Sequence, residues 1–132
     1  MKPELEYLIV CEYFSISGGN KMNILGVFQE LNLIDSKPVS FSFSLVGRLL
    51  DVSVGKHSLK IAIYEPNGDK EVATVDLPEN ESTGTPVSLG FKFNLVEFSK
   101  IGKYRIKVFV DGEEVVGREH GIVVKNNAKS GK

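Results

Sequence analysis

Apolar and polar residues alternate one for one through most of this chain, and no other feature limits its fold so strongly. Phe41, Phe43 and Leu45 alternate with Ser40, Ser42 and Ser44, and Leu59, Ile61 and Ile63 with Ser58, Lys60, Ala62 and Tyr64. Further on, Phe91, Phe93 and Leu95 alternate with Lys92 and Asn94, and Tyr104, Ile106, Val108 and Val110 with Arg105, Lys107 and Phe109. Successive side chains of a strand point to opposite faces. Each stretch therefore offers one apolar face to a core and one mostly polar face to water, the signature of antiparallel sheets covered on one side. A helical period is almost absent.

Turn chemistry separates these stretches. Ser17-Gly18-Gly19-Asn20, Asp35-Ser36-Lys37-Pro38, Val54-Gly55-Lys56-His57, Pro66-Asn67-Gly68-Asp69, the polar segment 78–86, Lys100-Ile101-Gly102-Lys103 and Asp111-Gly112-Glu113 all interrupt the alternation. Asn67-Gly68 and Asp111-Gly112 predict two-residue hairpins, since both central positions of a type I′ turn need positive φ. The predicted strands are 5–16, 21–34, 38–50, 57–65, 70–77, 86–98, 103–111 and 114–125. Seven or eight short-connected strands predict an all-β, antiparallel two-sheet sandwich, with a closed barrel or jelly roll as the alternative. A helix has room for one turn at most, at 97–103, with Ser99 as its cap.

The chain has 132 residues, enough for one domain with its own core. Residues 1–125 are assigned to that domain and 126–132, rich in Asn, Ser, Gly and Lys, to a frayed tail. With 16 basic and 17 acidic residues the net charge is −1, which gives no field to gather nucleic acid or an anionic membrane. The best nucleic-acid surface is the shared face of Lys103, Arg105, Lys107 and Phe109, but lysine and arginine on a strand's outer face ordinarily keep it soluble. Glu4, Glu6 and Glu12 interrupt any signal-peptide core, and no apolar run approaches the roughly 20 residues of a membrane helix. The expected compartment is the cytoplasm.

Two segments carry resemblances. The sequence "GKYRIKVFVDGEEVVGREHGIVVK", residues 102–125, has a Gly-x-Tyr entry, an Asp-Gly turn and a Val-Val exit strand, and resembles the closing strand pair of immunoglobulin-like sandwiches. Near the start, Cys11-Glu12-Tyr13, Asn20-Lys21 and Asn23-Ile24-Leu25-Gly26-Val27-Phe28 resemble the opening of a family of small uncharacterised prokaryotic β-proteins, in which the acidic residue after the cysteine is usually Asp. That resemblance implies a β-sandwich and no assigned activity. Physically, Gly26 inside a strand predicts a bulge or a close backbone approach, and Asn23 predicts a hydrogen bond to backbone left unpaired by the bend.

Chemistry-bearing patterns are sparse. Ser17-Gly18-Gly19-Asn20-Lys21 lacks the spacing of a phosphate loop, and strand residues rather than a helix follow it. His57, His120 and Cys11 are too scattered to make a zinc motif, and neither 67–71 nor 78–82 has a calcium-loop pattern. No Gly-x-Ser-x-Gly elbow is present. Cys11, the single cysteine, sits in an apolar run and is expected in the core. No catalytic set, metal or cofactor is expected. The chain is expected to be a non-enzymatic structural or protein-interaction module that self-associates as a dimer, with the weakly charged Ser40, Ser42, Ser44 face as its contact. The alternative is a small-ligand or carbohydrate-binding domain whose loops gather at one end, through Asn20, Lys21, Asn67, Asp69, Asp111 and Glu113.

Overall fold

The computed structural model describes residues 2–17, 21–34, 37–77, 79–84, 86–115, 117 and 119–127. Among them are twelve strands and no helix: β1 (Glu4–Ser17), β2 (Lys21–Val27), β3 (Glu30–Ile34), β4 (Val39–Leu50), β5 (Gly55–His57), β6 (Leu59–Tyr64), β7 (Glu71–Asp76), β8 (Asn80–Ser82), β9 (Val87–Phe98), β10 (Gly102–Val110), β11 (Glu113–Glu114) and β12 (His120–Asn127). They form a sheet in the order β2-β1-β4-β9, a sheet in the order β3-β12-β10-β6-β7 with β11 beside β10, and a ribbon of β5 and β8. One sheet curls into a half-barrel.

The alternation does what the sequence demands. Phe43, Leu45, Leu49, Phe91 and Phe93 of the first sheet and Ile61, Ile63, Tyr104, Ile106 and Val108 of the second lie in one hydrophobic cluster. Each such fully buried side chain contributes roughly 1.5–3 kcal/mol relative to an exposed one. Phe98 meets Tyr104 edge-on at 4.9 Å between centroids, which ties the end of β9 to the start of β10.

Several expectations need correction. The segment 21–34 is not one strand. β2 pairs antiparallel with β1, while β3 lies in the other sheet and pairs parallel with β12, Leu31 opposite Val124. The sheets are therefore not wholly antiparallel. The break is made by Gly26, at φ +69°, and by Phe28, whose N–H donates to Val10 O at 3.0 Å while its ring packs edge-on against Phe41. Leu95 does not point inward with Phe91 and Phe93. It has φ +50° and is 71% exposed, and a bulge opposite Ser42 shifts the buried positions to Val96 and Phe98. The polar stretches at 54–57 and 78–86 contain β5 and β8, paired Lys56 to Glu81. The turn 99–101 has no helix: the Tyr104 hydroxyl accepts the N–H groups of Ser99 and Lys100 at 3.1 and 3.0 Å.

Of the two predicted type I′ turns, Asp111-Gly112 has positive φ at both positions, +51° and +83°. At Asn67-Gly68 only the glycine does. There Pro66 heads a four-residue loop closed by Glu65 N–H to Lys70 O at 3.0 Å, so the chain reverses without a left-handed asparagine. β12 takes in Asn126 and Asn127, assigned above to the tail, and 128–132 lie outside the described residues.

Candidate functional site

Two of the candidate binding loops, 66–70 and 111–114, stand at opposite ends of one strand pair. β6 and β10 run antiparallel, with Tyr64 opposite Arg105 and Leu59 opposite Val110. Asn67 and Asp69 follow Tyr64, so they stand at the opposite end of this pair from Asp111 and Glu113. Arg105 pins the first end by donating to the carbonyls of Glu65 and Gly68. Asn20 lies outside the described residues, as do the Gly18-Gly19 and Asp35-Ser36 turn centres; Lys21 opens β2 opposite Ser17.

Asp111 makes contacts within the chain. Its left-handed turn aims Oδ1 at the Ser58 N–H, 2.9 Å away, and Oδ2 at Nδ1 of His57, 2.6 Å away. The other ring nitrogen of His57 lies 2.7 Å from the Ser53 carbonyl and 3.3 Å from Ser53 Oγ. Serine, histidine and aspartate thus stand in hydrolase-like order. Yet an ionised carboxylate and a carbonyl can only accept, so both imidazole nitrogens must donate. The ring satisfies both only as the imidazolium, which has no lone pair to take a serine proton. The carboxylate of Asp111, helped by the Ser53 carbonyl, holds the His57 pKa above the ordinary imidazole value, and the His57 bond holds Asp111 below the ordinary carboxylate range. The arrangement acts as a clamp between the 53–58 segment and the β10–β11 hairpin. A small cleft of about 200 Å³ opens beside it, lined by Lys2, Pro3, Glu113 and Glu114.

The basic strand face is already occupied. Lys103 pairs with Glu119 at 3.1 Å and holds its carboxyl below the usual range, and Lys107 pairs with Glu114 at 3.5 Å. Arg105 and Lys107 lie over the Tyr64 ring at 5.8 and 5.2 Å, and Lys60 over Phe109 at 5.4 Å. Cations and rings interleave on this face, and each of these cations has an acid or a ring of the same chain beside it.

The serine face is split. Ser40 and Ser42 are exposed, and Ser42 Oγ accepts the Leu95 N–H at 3.0 Å. Ser44 is 2% exposed and so cannot meet a partner. It belongs to a second buried layer. Alternation from Val10 and Leu45 places Cys11, Ser44 and Val46 on the face of their sheet away from the main core, yet Cys11 and Val46 are wholly buried. On that same face the Phe14 ring lies over Gly90, 2.7 Å from where a Cβ would stand. Burial pushes the Cys11 thiol up, as expected of a core cysteine.

Exposed apolar side chains include Ile34, Val54, Leu95 and Ile101, and three more stand together on the β1–β2 ribbon. Tyr13 and Leu25 face each other across the pair, 54% and 60% exposed, and Val27, two residues on, is 60% exposed. Asn23 Nδ2 donates to Ser15 Oγ on the neighbouring strand at 3.4 Å, while the bend that it was expected to bond lies outside the described residues. Gly26 takes the positive φ that a strand glycine permits, +69°, with no register shift in the β1–β2 pairing, and the group a Cβ there would meet is the Glu12 side chain rather than backbone. Sequence reasoning missed the His57–Asp111 clamp, whose partners are 54 residues apart, and it missed the open ribbon because alternation alone does not say which face is covered. Among the described residues no group of three or more His, Cys, Asp or Glu side chains is placed to hold a metal, and no helix is long and apolar enough to cross a membrane.

A family model described as a family of unknown function (DUF6941) matches residues 6–120. Comparison with curated proteins gives no match.

Proposed function

For a chain that belongs to DUF6941, a family of unknown function, we propose the role of a non-enzymatic protein-interaction module on an immunoglobulin-like sandwich, docking through the β1–β2 ribbon. The single observation that carries it is the concentration of Tyr13, Leu25 and Val27, each more than half exposed, on one two-stranded ribbon. Isolated exposed apolar residues are ordinary, but a contiguous group that includes an aromatic ring is a surface for a partner.

Several features support the immunoglobulin-like part. β4 and β9 sit in one sheet while β6, β10 and β12 sit in the other, the division of a Greek-key sandwich. Tyr104, near the start of its strand, bonds back to the backbone just upstream in the manner of a tyrosine corner. The non-enzymatic part is supported by the imidazolium clamp at His57 and by the wide separation of the turn loops. That separation also weighs against a single ligand or carbohydrate site at one end.

The test is a photo-crosslinking residue at position 13, incorporated in the cells that make the protein, with position 92 on the exposed side of β9 as control. Discrete protein adducts from 13 and none from 92 are expected. No adduct from 13, or the same adducts from both, overturns the reading.

A further inference from the structure

The four outer strands of the two large sheets are not protected alike. β7 carries Glu71 and Asp76, β9 carries Lys92 and Glu97 and is bent at Leu95, and β3 is only five residues long and opens on Glu30. Charges, bulges and shortness are the usual guards against edge-to-edge pairing. β2, Lys-Met-Asn-Ile-Leu-Gly-Val, has one charge at its first residue and no acid, and among the described residues β1 is its only strand neighbour.

Which backbone groups β2 leaves free follows from its register. The pairing places Leu25 opposite Tyr13 and Asn23 opposite Ser15, and Phe28 N–H bonds Val10 O at the next step of the same register. Antiparallel ladders alternate bonded and non-bonded pairs. Even-numbered residues of β2 therefore bond to β1, and Lys21, Asn23, Leu25 and Val27 turn their N–H and C=O groups outward.

We infer that β2 is a dimerisation edge whose occupant is β2 of a second copy, paired antiparallel about a two-fold axis through Ile24. This deepens the interaction-module reading and rests on it. The outward residues then match: Asn23 bonds Leu25 of the second copy, and Leu25 bonds Asn23 of the second copy. Lys21 falls opposite Val27, so no like charges meet. Leu25 and its copy become diagonal neighbours across the axis, with Tyr13 flanking each, and the exposed apolar groups of the two chains join side by side on one sheet face. Such self-complementarity is what an isologous contact requires, and an unrelated partner strand would have no reason to satisfy it.

Sedimentation equilibrium of the full chain, from about 1 µM to about 1 mM, reads the result. Wild type is expected to dimerise. Asn23→Pro removes an N–H that only the second copy uses, at an edge position where proline is tolerated, and Leu25→Lys places a charge beside its own copy. Each is expected to raise the dimer dissociation constant at least tenfold while circular dichroism stays native. Amide exchange gives a second readout: Asn23 and Leu25 become protected as concentration rises, while Ile24 is protected throughout. A wild type that stays monomeric, or folded variants that dimerise unchanged, overturns the inference. If the chain is monomeric but position 13 still crosslinks another protein, the edge assignment falls and the interaction-module reading stands. If position 13 crosslinks nothing, both fall.

Discussion

Gly26 shows how one residue can be fixed twice over. Its φ of +69° is a region that L-residues enter at a cost of about 1–2 kcal/mol. A Cβ there would also overlap the Glu12 carboxylate, but that group is the exposed end of a flexible side chain and can move. Backbone strain therefore outweighs crowding. Gly26→Ala is expected to lower stability by about 1–2 kcal/mol in urea denaturation, and adding Glu12→Ala should not restore it. Full rescue by the second change would show that crowding dominates. Tyr104 is constrained by its hydroxyl. Tyr104→Phe leaves two N–H groups, of Ser99 and Lys100, without their acceptor and is expected to cost about 1–3 kcal/mol. Both residues were legible in sequence, Gly26 as a glycine within a strand and Tyr104 through its Gly-x-Tyr entry. His57 was not, since its clamp depends on a turn 54 residues away and no local spacing announces it.

Among the elements, the β5–β8 ribbon is held to the β10–β11 hairpin by that clamp, which makes the attachment sensitive to pH. His57 has a raised folded pKa, so its stabilisation is complete below the ordinary imidazole value and is lost as pH rises through the folded value. Asp111 has a lowered folded pKa, so its contribution is present above the ordinary carboxylate value and is lost as pH falls through the folded one. The clamp is strongest between those limits, from roughly pH 4 to pH 6.5. The melting-temperature gap between wild type and His57→Gln should be widest there and shrink toward pH 9. A gap independent of pH would mean that the ring is not held as the imidazolium. Strand existence was well read from alternation, since Phe41 to Leu45 and Tyr104 to Val110 needed only period two. The division of 21–34 was not legible. Met22 to Leu33 is rich in Ile, Leu, Val and Phe on both sides of Gln29-Glu30, and only the tertiary positions of Val10 and Phe41 decide that Phe28 anchors to the core while Leu31 crosses to the other sheet.

For the molecule as a whole, the consequence is a fold with two buried layers of unequal security. The main core draws on both large sheets, with Phe43, Phe98 and Tyr104 almost without exposure. The second layer, Cys11, Ser44 and Val46, is thin, and the Phe14 ring over Gly90 is a visible contact on that face. Local opening follows the regions of fewest buried apolar contacts, so the ribbon side should open before the core does. Gly90→Val tests this, because its Cβ would stand 2.7 Å from the Phe14 ring and force the ribbon outward. Overpacking of this kind costs about 1–3 kcal/mol, small enough for the main core to survive. The expected outcome is a folded variant with native near-ultraviolet dichroism in which Cys11, protected in wild type, reacts readily with a thiol reagent. If Cys11 stays unreactive while the variant remains folded, the Phe14–Gly90 contact does not hold the second layer shut, and burial of Cys11 must come from the β1–β4 pairing itself.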